Sequence, residues 1–391
     1  PPTFHSVDTA RIKEKLQKLI DGFEKNGTRL FHDAGGGADA EGTATALPVQ
    51  FFTKEVHSAL RDRSVRAMAL NPSRAASRLP KRRRAKAEMK RHSSQIGAIL
   101  SHAQRFGILD PRELASKRSK AVLVELGAGR GSLSAVASHA YPESISAVVL
   151  VDSRRVRSGL DALIRRKGIE VTRIRCDIED LVLHKLPGML STNNNRSLVV
   201  ISKHLCGSAT DAALRCIAHS LESESVDVRG VAIATCCHHR CGSQSYVNLG
   251  PFTRAGMSAS NFDAVCRMSS WLQAGHHDYA RTEDANKRRR DEVGSRPSSK
   301  RDENSPVKDF EAMRALGKMC KRALDIGRLE FLKEGRDSYS DGNHSLDANS
   351  RRRIVRVNGI QYVPTEVTSD NQLMLTSYSS PCAFAHASGE G

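Results

Sequence analysis

Between residues 121 and 235 the chain alternates five short apolar segments, 121–126, 146–151, 171–175, 198–202 and 230–235, with stretches of helical periodicity such as 160–166 and 210–219. This alternation constrains the fold more than any other feature. Parallel strands cannot be joined by tight turns and need crossovers, which helices supply, and helices that return to a sheet cover both of its faces. The expected class is therefore α/β, with a Rossmann-like core and a mostly parallel, doubly wound sheet. A chain of 391 residues is long enough to bury such a core. Further on, Phe310, Met313, Leu316, Met319, Cys320 and Leu324 share a helical face, and 328–332 reads as a strand. Tyr362-Val363 and 374–376 suit an antiparallel edge.

The flanks are less regular. Ile12, Leu16, Leu19 and Ile20 recur at helical spacing, but Gly35 to Ala46 then interrupts the chain, which predicts a loosely attached helix and linker. A helix is expected over 51–70. A basic block follows, with Arg78, Lys81, Arg82, Arg83, Arg84, Lys86, Lys90 and Arg91 opposed by Glu88. It is a solvated charged segment, a localisation signal or a phosphate contact. Ile96, Ile99, Leu100, Ala103 and Phe106 then mark a helix ending near Gly107. Residues 281–309 hold too few apolar side chains to fold and read as a disordered charged insertion, and 334–350 as a second polar loop. The expected division is an extension over 1–94 and a main domain over 95–280 and 310–385.

Lys plus Arg number 61 against 43 Asp plus Glu, a formal charge of +18, which points to a polyanionic partner, with nucleic acid foremost. No segment approaches the roughly 18 consecutive apolar residues of a membrane span. Nine irregularly spaced cysteines look like reduced thiols, so nucleus and/or cytoplasm is expected. Protein partners stay open.

The first strand runs into Gly127, Gly129 and Gly131. Glycines there let the backbone turn sharply and approach a cofactor closely. A dinucleotide fingerprint would need glycine where Ser132 stands, which disfavours NAD. Asp152 ends the second strand, where a carboxylate can accept from both hydroxyls of a ribose, and Asp177 follows the third, placed for an adenine amine. Glu125 lies two residues before the turn. Acids at strand ends also form turns, but their joint placement favours S-adenosylmethionine. Two further strand tips carry titratable groups: Ser202-Lys-His-Leu-Cys-Gly207, followed by Thr210-Asp211, and Cys236-Cys-His-His-Arg-Cys241. Clustered titratable groups at adjacent tips mark a candidate site.

Leu126-Gly-Ala-Gly-Arg-Gly131, Lys203-His-Leu-Cys-Gly207 with Ala209-Thr-Asp211, and Cys236-Cys-His-His-Arg-Cys241 together resemble the eukaryotic tRNA:m(4)X modification enzymes. That family consists of tRNA ribose 2'-O-methyltransferases acting on the fourth nucleotide of the acceptor stem. The resemblance extends to 262–271 and 316–321. It implies a class I S-adenosylmethionine-dependent methyltransferase fold, with S-adenosylmethionine as cofactor and tRNA as partner. The family usually carries N-terminal zinc fingers, whereas positions 1–175 contain no cysteine, so this is expected to be a truncated or a divergent member.

A ribose hydroxyl needs alignment and a proton acceptor. Lys203 is the favoured base, because burial beside positive charge lowers an amine pKa from its usual value of about 10.4. His204, His238 and His239 compete for the role. Arg240, with Arg82, Arg83 and Arg84, would contact phosphate. The cysteine cluster could instead bind zinc with Cys206 or His204, but adjacent residues seldom share an ion and C-x-x-C spacing is lacking, so no metal is expected. Two other readings stay open: a related methyltransferase acting on protein or a small molecule, and a non-catalytic RNA-binding module.

Overall fold

The computed structural model describes residues 8–25, 52–70, 81–109, 120–186, 197–221, 226–273, 306–334, 354–365 and 367–378. In chain order its helices and strands are α1 (Thr9–Lys25), α2 (Lys54–Arg61), α3 (Arg63–Met68), α4 (Lys81–Arg105), β1 (Ala121–Leu126), α5 (Ser132–Ala140), β2 (Ile145–Asp152), α6 (Leu160–Arg165) and β3 (Glu170–Arg175). They continue with β4 (Ser197–Cys206), α7 (Ser208–Leu221), β5 (Asp227–Cys236), α8 (Gly250–Arg254), α9 (Ala259–Met268), α10 (Pro306–Glu334), β6 (Ile354–Gln361) and β7 (Gln372–Tyr378).

The strands form one seven-stranded sheet in the order β3-β2-β1-β4-β5-β7-β6. The first five run parallel, and β7 is antiparallel to both β5 and β6. The α/β class and the antiparallel edge expected from the sequence are both present. Side chains alternate across the sheet with period two. Val122, Val124, Leu126, Val149 and Val151 pack on one face with α1, α7, α9 and α10. Ala121, Leu123, Val148 and Leu150 pack on the other with α2 to α6. Both faces are therefore apolar over the central strands, which is why β1, β2, β4 and β5 read as largely continuous apolar runs, while β3 at the edge carries Thr172, Arg173 and Arg175.

Several expectations need correction. The helix at the N-terminus is not loosely attached: Ile12, Leu16, Leu19, Ile20 and Phe23 are buried in the main core, and Glu24 pairs with Arg322 of α10. The helix expected over 51–70 is two, because Asp62 breaks it and caps α3 by accepting the amides of Ser64 and Val65. The strand expected at 328–332 is the last part of α10. Residues 323–332 are buried all round that helix, so no polar face remains to reveal a helical period.

Of the charged insertion, 281–305 lies outside the described residues, while 306–309 already belong to α10. The polar loop beyond Glu334, up to 350, also lies outside them, as does the glycine-rich linker 35–46. The basic block is helical from Lys81 and continuous with the apolar part of α4 across residue 94. Arg82, Arg83 and Arg84 are thus in the first turns of α4, with side chains outside the description.

Candidate active site at the carboxyl edge of the sheet

Parallel strands all end at one edge, and β1 and β4 flank the point where the strand order reverses, the usual place for a ligand in such a sheet. At the end of β1 the backbone turns through left-handed conformations at Gly127, Gly129 and Gly131, with φ of 64, 50 and 81°. A side chain at Gly129 would meet no heavy atom within 4 Å, so open space lies above the turn. The Gly129 N–H donates to Asp152 Oδ2 at 2.8 Å, while Asp152 Oδ1 accepts from the Arg154 amide at 2.9 Å. Asp152 thus ties β2 to the turn.

Arg173, which the sequence reading missed, braces the same turn. It pairs with Asp161 at 2.8 Å and donates to the carbonyls of Gly129 and Arg130 at 2.9 Å each. Glu125 is buried beneath, its Oε2 accepting from the Ser134 amide at 2.9 Å. Burial raises its pKa to about 7, against the Ser134 hydrogen bonds and the charges of Lys203 and Arg173. Asp177 is exposed just after β3.

At the end of β4, His204 is an extra residue. Lys203 pairs with Ala234 and Leu205 with Thr235, so His204 has no partner on β5, and its φ is 66°. This bulge reverses the alternation: Val199 and Ile201 belong to the α4 face, whereas Leu205 joins the opposite core. Lys203 and His204, though adjacent, can therefore both meet α4. Lys203 Nζ donates to His92 Nδ1, and His204 Nε2 lies 3.3 Å from Gln95 Oε1.

Burial lowers Lys203 to about 8, with Arg91 adding to the effect and Glu125 opposing it. Burial, then the Lys203 charge, lowers His92 to about 3 and His204 to about 4. Both rings are thus neutral near pH 7. A cavity of about 420 Å³ is lined by Glu125, Gly127, Lys203 and His204, joined by Glu88, Arg91, His92 and Gln95 of α4. This volume is within the range that encloses small ligands. No sequence signal singled out His92 or Gln95, which come from a helix more than a hundred positions away.

The tip of β5 is different. His238 is 1% exposed, with Nε2 2.8 Å from Asp325 Oδ1. Burial keeps its pKa low against the pull of the Asp325 carboxylate beside it. That carboxylate also accepts from Thr235 Oγ1 at 2.8 Å and from Arg328 Nη1 at 3.0 Å. Fully buried Arg328 further contacts Asp211 Oδ2 at 2.7 Å and Cys241 Sγ at 2.8 Å. The structure therefore commits His238 to the core and does not bring it to the cavity. His239 and Arg240 are exposed on the same turn and also do not line the cavity. The turn packs against Gly207 (φ 58°), where a side chain would sit 2.5 Å from the Arg240 Cβ. Cys206 and Cys236 lie with sulfurs 3.1 Å apart. The hydrogen bond from Cys236 holds Cys206 down at about 6, while Cys236 keeps its proton and is raised.

These features define an α/β protein with a ligand cavity built at the switch point of its sheet and a buried, pKa-lowered lysine on the cavity wall. The sequence model of the family described as methyltransferase TRM13 matches residues 94–377, and the chain belongs to that family. It is 28% identical over 293 residues to the mouse protein named tRNA:m(4)X modification enzyme TRM13 homolog, covering 62% of this chain and 59% of that one. Against the Yarrowia lipolytica tRNA:m(4)X modification enzyme TRM13 it is 23% identical over 364 residues, 85% of this chain and 73% of the relative. To the Dictyostelium discoideum homolog it is 35% identical over 161 residues, 38% of this chain and 29% of that one. The chain thus spans about 59% of the mouse and human relatives it matches.

Proposed function

We propose that this chain is an S-adenosylmethionine-dependent tRNA 2'-O-methyltransferase, acting on the ribose of the fourth nucleotide of the acceptor stem. The observation that carries the reading is Lys203, held at about 8 beside neutral His92 in a cavity that also includes the glycine turn. The strand order and the antiparallel β7 support a Rossmann-like class I methyltransferase fold. Names of the relatives, which describe tRNA modification, and the formal charge of +18 support tRNA as substrate. Among the described residues no helix is long and apolar enough to cross a membrane. A nuclear or cytoplasmic setting is proposed with it, on the irregular spacing of the cysteines in the sequence.

The open space over Gly129 and the left-handed glycines fit a cofactor laid against bare backbone. The Gly127–Gly131 turn, Asp152 and Asp177 would hold S-adenosylmethionine, which supplies an electrophilic methyl group. Lys203, in its neutral form, accepts the proton of the ribose hydroxyl as oxygen attacks. His92 accepts a hydrogen bond from Nζ and so aims the lysine. Arg91 on the cavity wall and the basic first turns of α4, with Arg82, Arg83 and Arg84, attract the phosphate backbone. Arg240, exposed at the next strand tip, adds a planar donor for phosphate.

The test is methyl transfer from labelled S-adenosylmethionine to tRNA, followed by nuclease mapping. Label in a 2'-O-methylated fourth nucleotide supports the proposal. Label on a base, at another position, or only in protein or a small molecule rejects it.

A further inference from the structure

Cys206, Cys236 and Cys237 converge outside the cavity just described. Cys206 and Cys236 are register partners at the last positions of β4 and β5. Cys237 follows directly, yet its backbone is left-handed, with φ 45° and ψ 45°. That local reversal allows adjacent cysteines to reach one point, which an extended strand would forbid by sending them to opposite faces. All three sulfurs lie within 4.8 Å of one another. Cys236 is buried, and the other two are half-buried and reachable by an ion from solvent.

We propose that Cys206, Cys236 and Cys237 form a zinc site, with water as fourth ligand, that clamps the tips of β4 and β5 together. Zinc–sulfur bonds of about 2.3 Å in a tetrahedron separate sulfurs by about 3.8 Å. The observed cluster brackets that value: one pair is at 3.1 Å and the outer limit is 4.8 Å. The separations would have to change by about an ångström or less to reach it. Hydrogen bonds between sulfurs are weak, so packing alone gives little reason to hold a non-glycine residue in the left-handed region. An ion bound to three sulfurs does. The clamp would begin two residues beyond the His204 bulge and so fix the segment that presents Lys203 to the cavity. The site was not expected from sequence, because adjacent cysteines without C-x-x-C spacing do not ordinarily share an ion.

The experiment uses the full chain without cofactor or RNA, so its outcome is independent of the proposed methyl transfer. Protein purified under reducing conditions is stripped with chelator, titrated with Zn2+, and then with Co2+ to read sulfur-to-cobalt charge-transfer bands. One equivalent of zinc and thiolate bands are expected. Cys206→Ser and Cys237→Gly should each weaken zinc binding by at least about a hundredfold, more than loss of an outer partner does. Cys176→Ser, outside the cluster, should leave it unchanged. Glycine at 237 suits the left-handed backbone, so this variant keeps its fold and separates ligand loss from misfolding. No stoichiometric zinc, cobalt spectra without thiolate bands, or unchanged affinity in both cluster variants would overturn the proposal. So would a Cys206–Cys236 disulfide whose reduction restores no zinc binding.

Discussion

The tips of β4 and β5 lie side by side in the sheet, carry similar residues and are put to opposite uses. At β4 a one-residue bulge delivers Lys203 and His204 to a cavity walled by α4. At β5 the neighbouring turn folds to the other side, where His238 joins Thr235, Asp325 and Arg328 in the core. The lesson is that a histidine at a strand tip is defined by the face it is turned to. At β4, burial outweighs the pull of Glu125, itself raised to about 7, and leaves a lysine that can lose its proton near neutrality. At β5, burial with fixed anions makes a rigid support.

The comparison breaks most easily at Arg328. Arg328→Met leaves Asp211 and Asp325 buried without their shared cation, and should cost about 3–5 kcal/mol in urea unfolding. Lys203→Met removes a buried amine that is costly to charge, so stability near pH 7 should hold or rise, while the methyl-transfer rate falls by about 10²–10⁴-fold. If both variants lost stability equally, the two tips would not differ as described.

A third test sharpens the role of Lys203 through pH. Its proton is lost near pH 8, so the rate should rise about tenfold per pH unit below that value and level off above it. Stability runs the same way in a different window. Between about pH 8 and the unfolded pKa of about 10.4 the unfolded chain holds the extra proton, so unfolding free energy from this group rises with pH. Lys203→Met should abolish both trends, and a pH-independent wild-type rate would exclude the lysine as base.

Smaller effects separate the histidines of the β5 turn. His238→Ala should cost about 1–3 kcal/mol, by removing a buried ring packed against the Asp325 carboxylate, whereas exposed His239→Ala should stay within about 0.5 kcal/mol. Equal losses would show that the turn is not divided between core and surface. Smallest of all, Arg240→Ala should raise the apparent KM for tRNA a few fold at low salt, and less as salt screens phosphate contacts. Steady-state kinetics at two ionic strengths decide it.

Much of this architecture could be read from the chain. The five parallel strands, the glycine turn and Asp152 at the end of β2 all depend on short-range patterns, and each lies where those patterns place it. What escaped did so for identifiable reasons. The end of α10 lost its periodicity to burial on every side, so Arg328 passed for a strand residue instead of the centre of an ion network. The packing of α1 depends on α10, nearly three hundred positions away.

The sequence by itself determined the alternation of strand and helix, the left-handed turn that only glycine makes readily, and the supply of Lys, His and Cys at two strand ends. Those are local properties, set by backbone sterics and by which neighbouring side chains are apolar. Tertiary structure decided which of those groups face a ligand. His92 meets Lys203 across 111 positions and Arg328 meets Asp211 across 117. A single bulged residue at His204 reverses the faces of everything that follows it in β4. Such pairings depend on register and docking, and no local pattern encodes them, because the same side chain is equally compatible with either face until the strands and helices have packed.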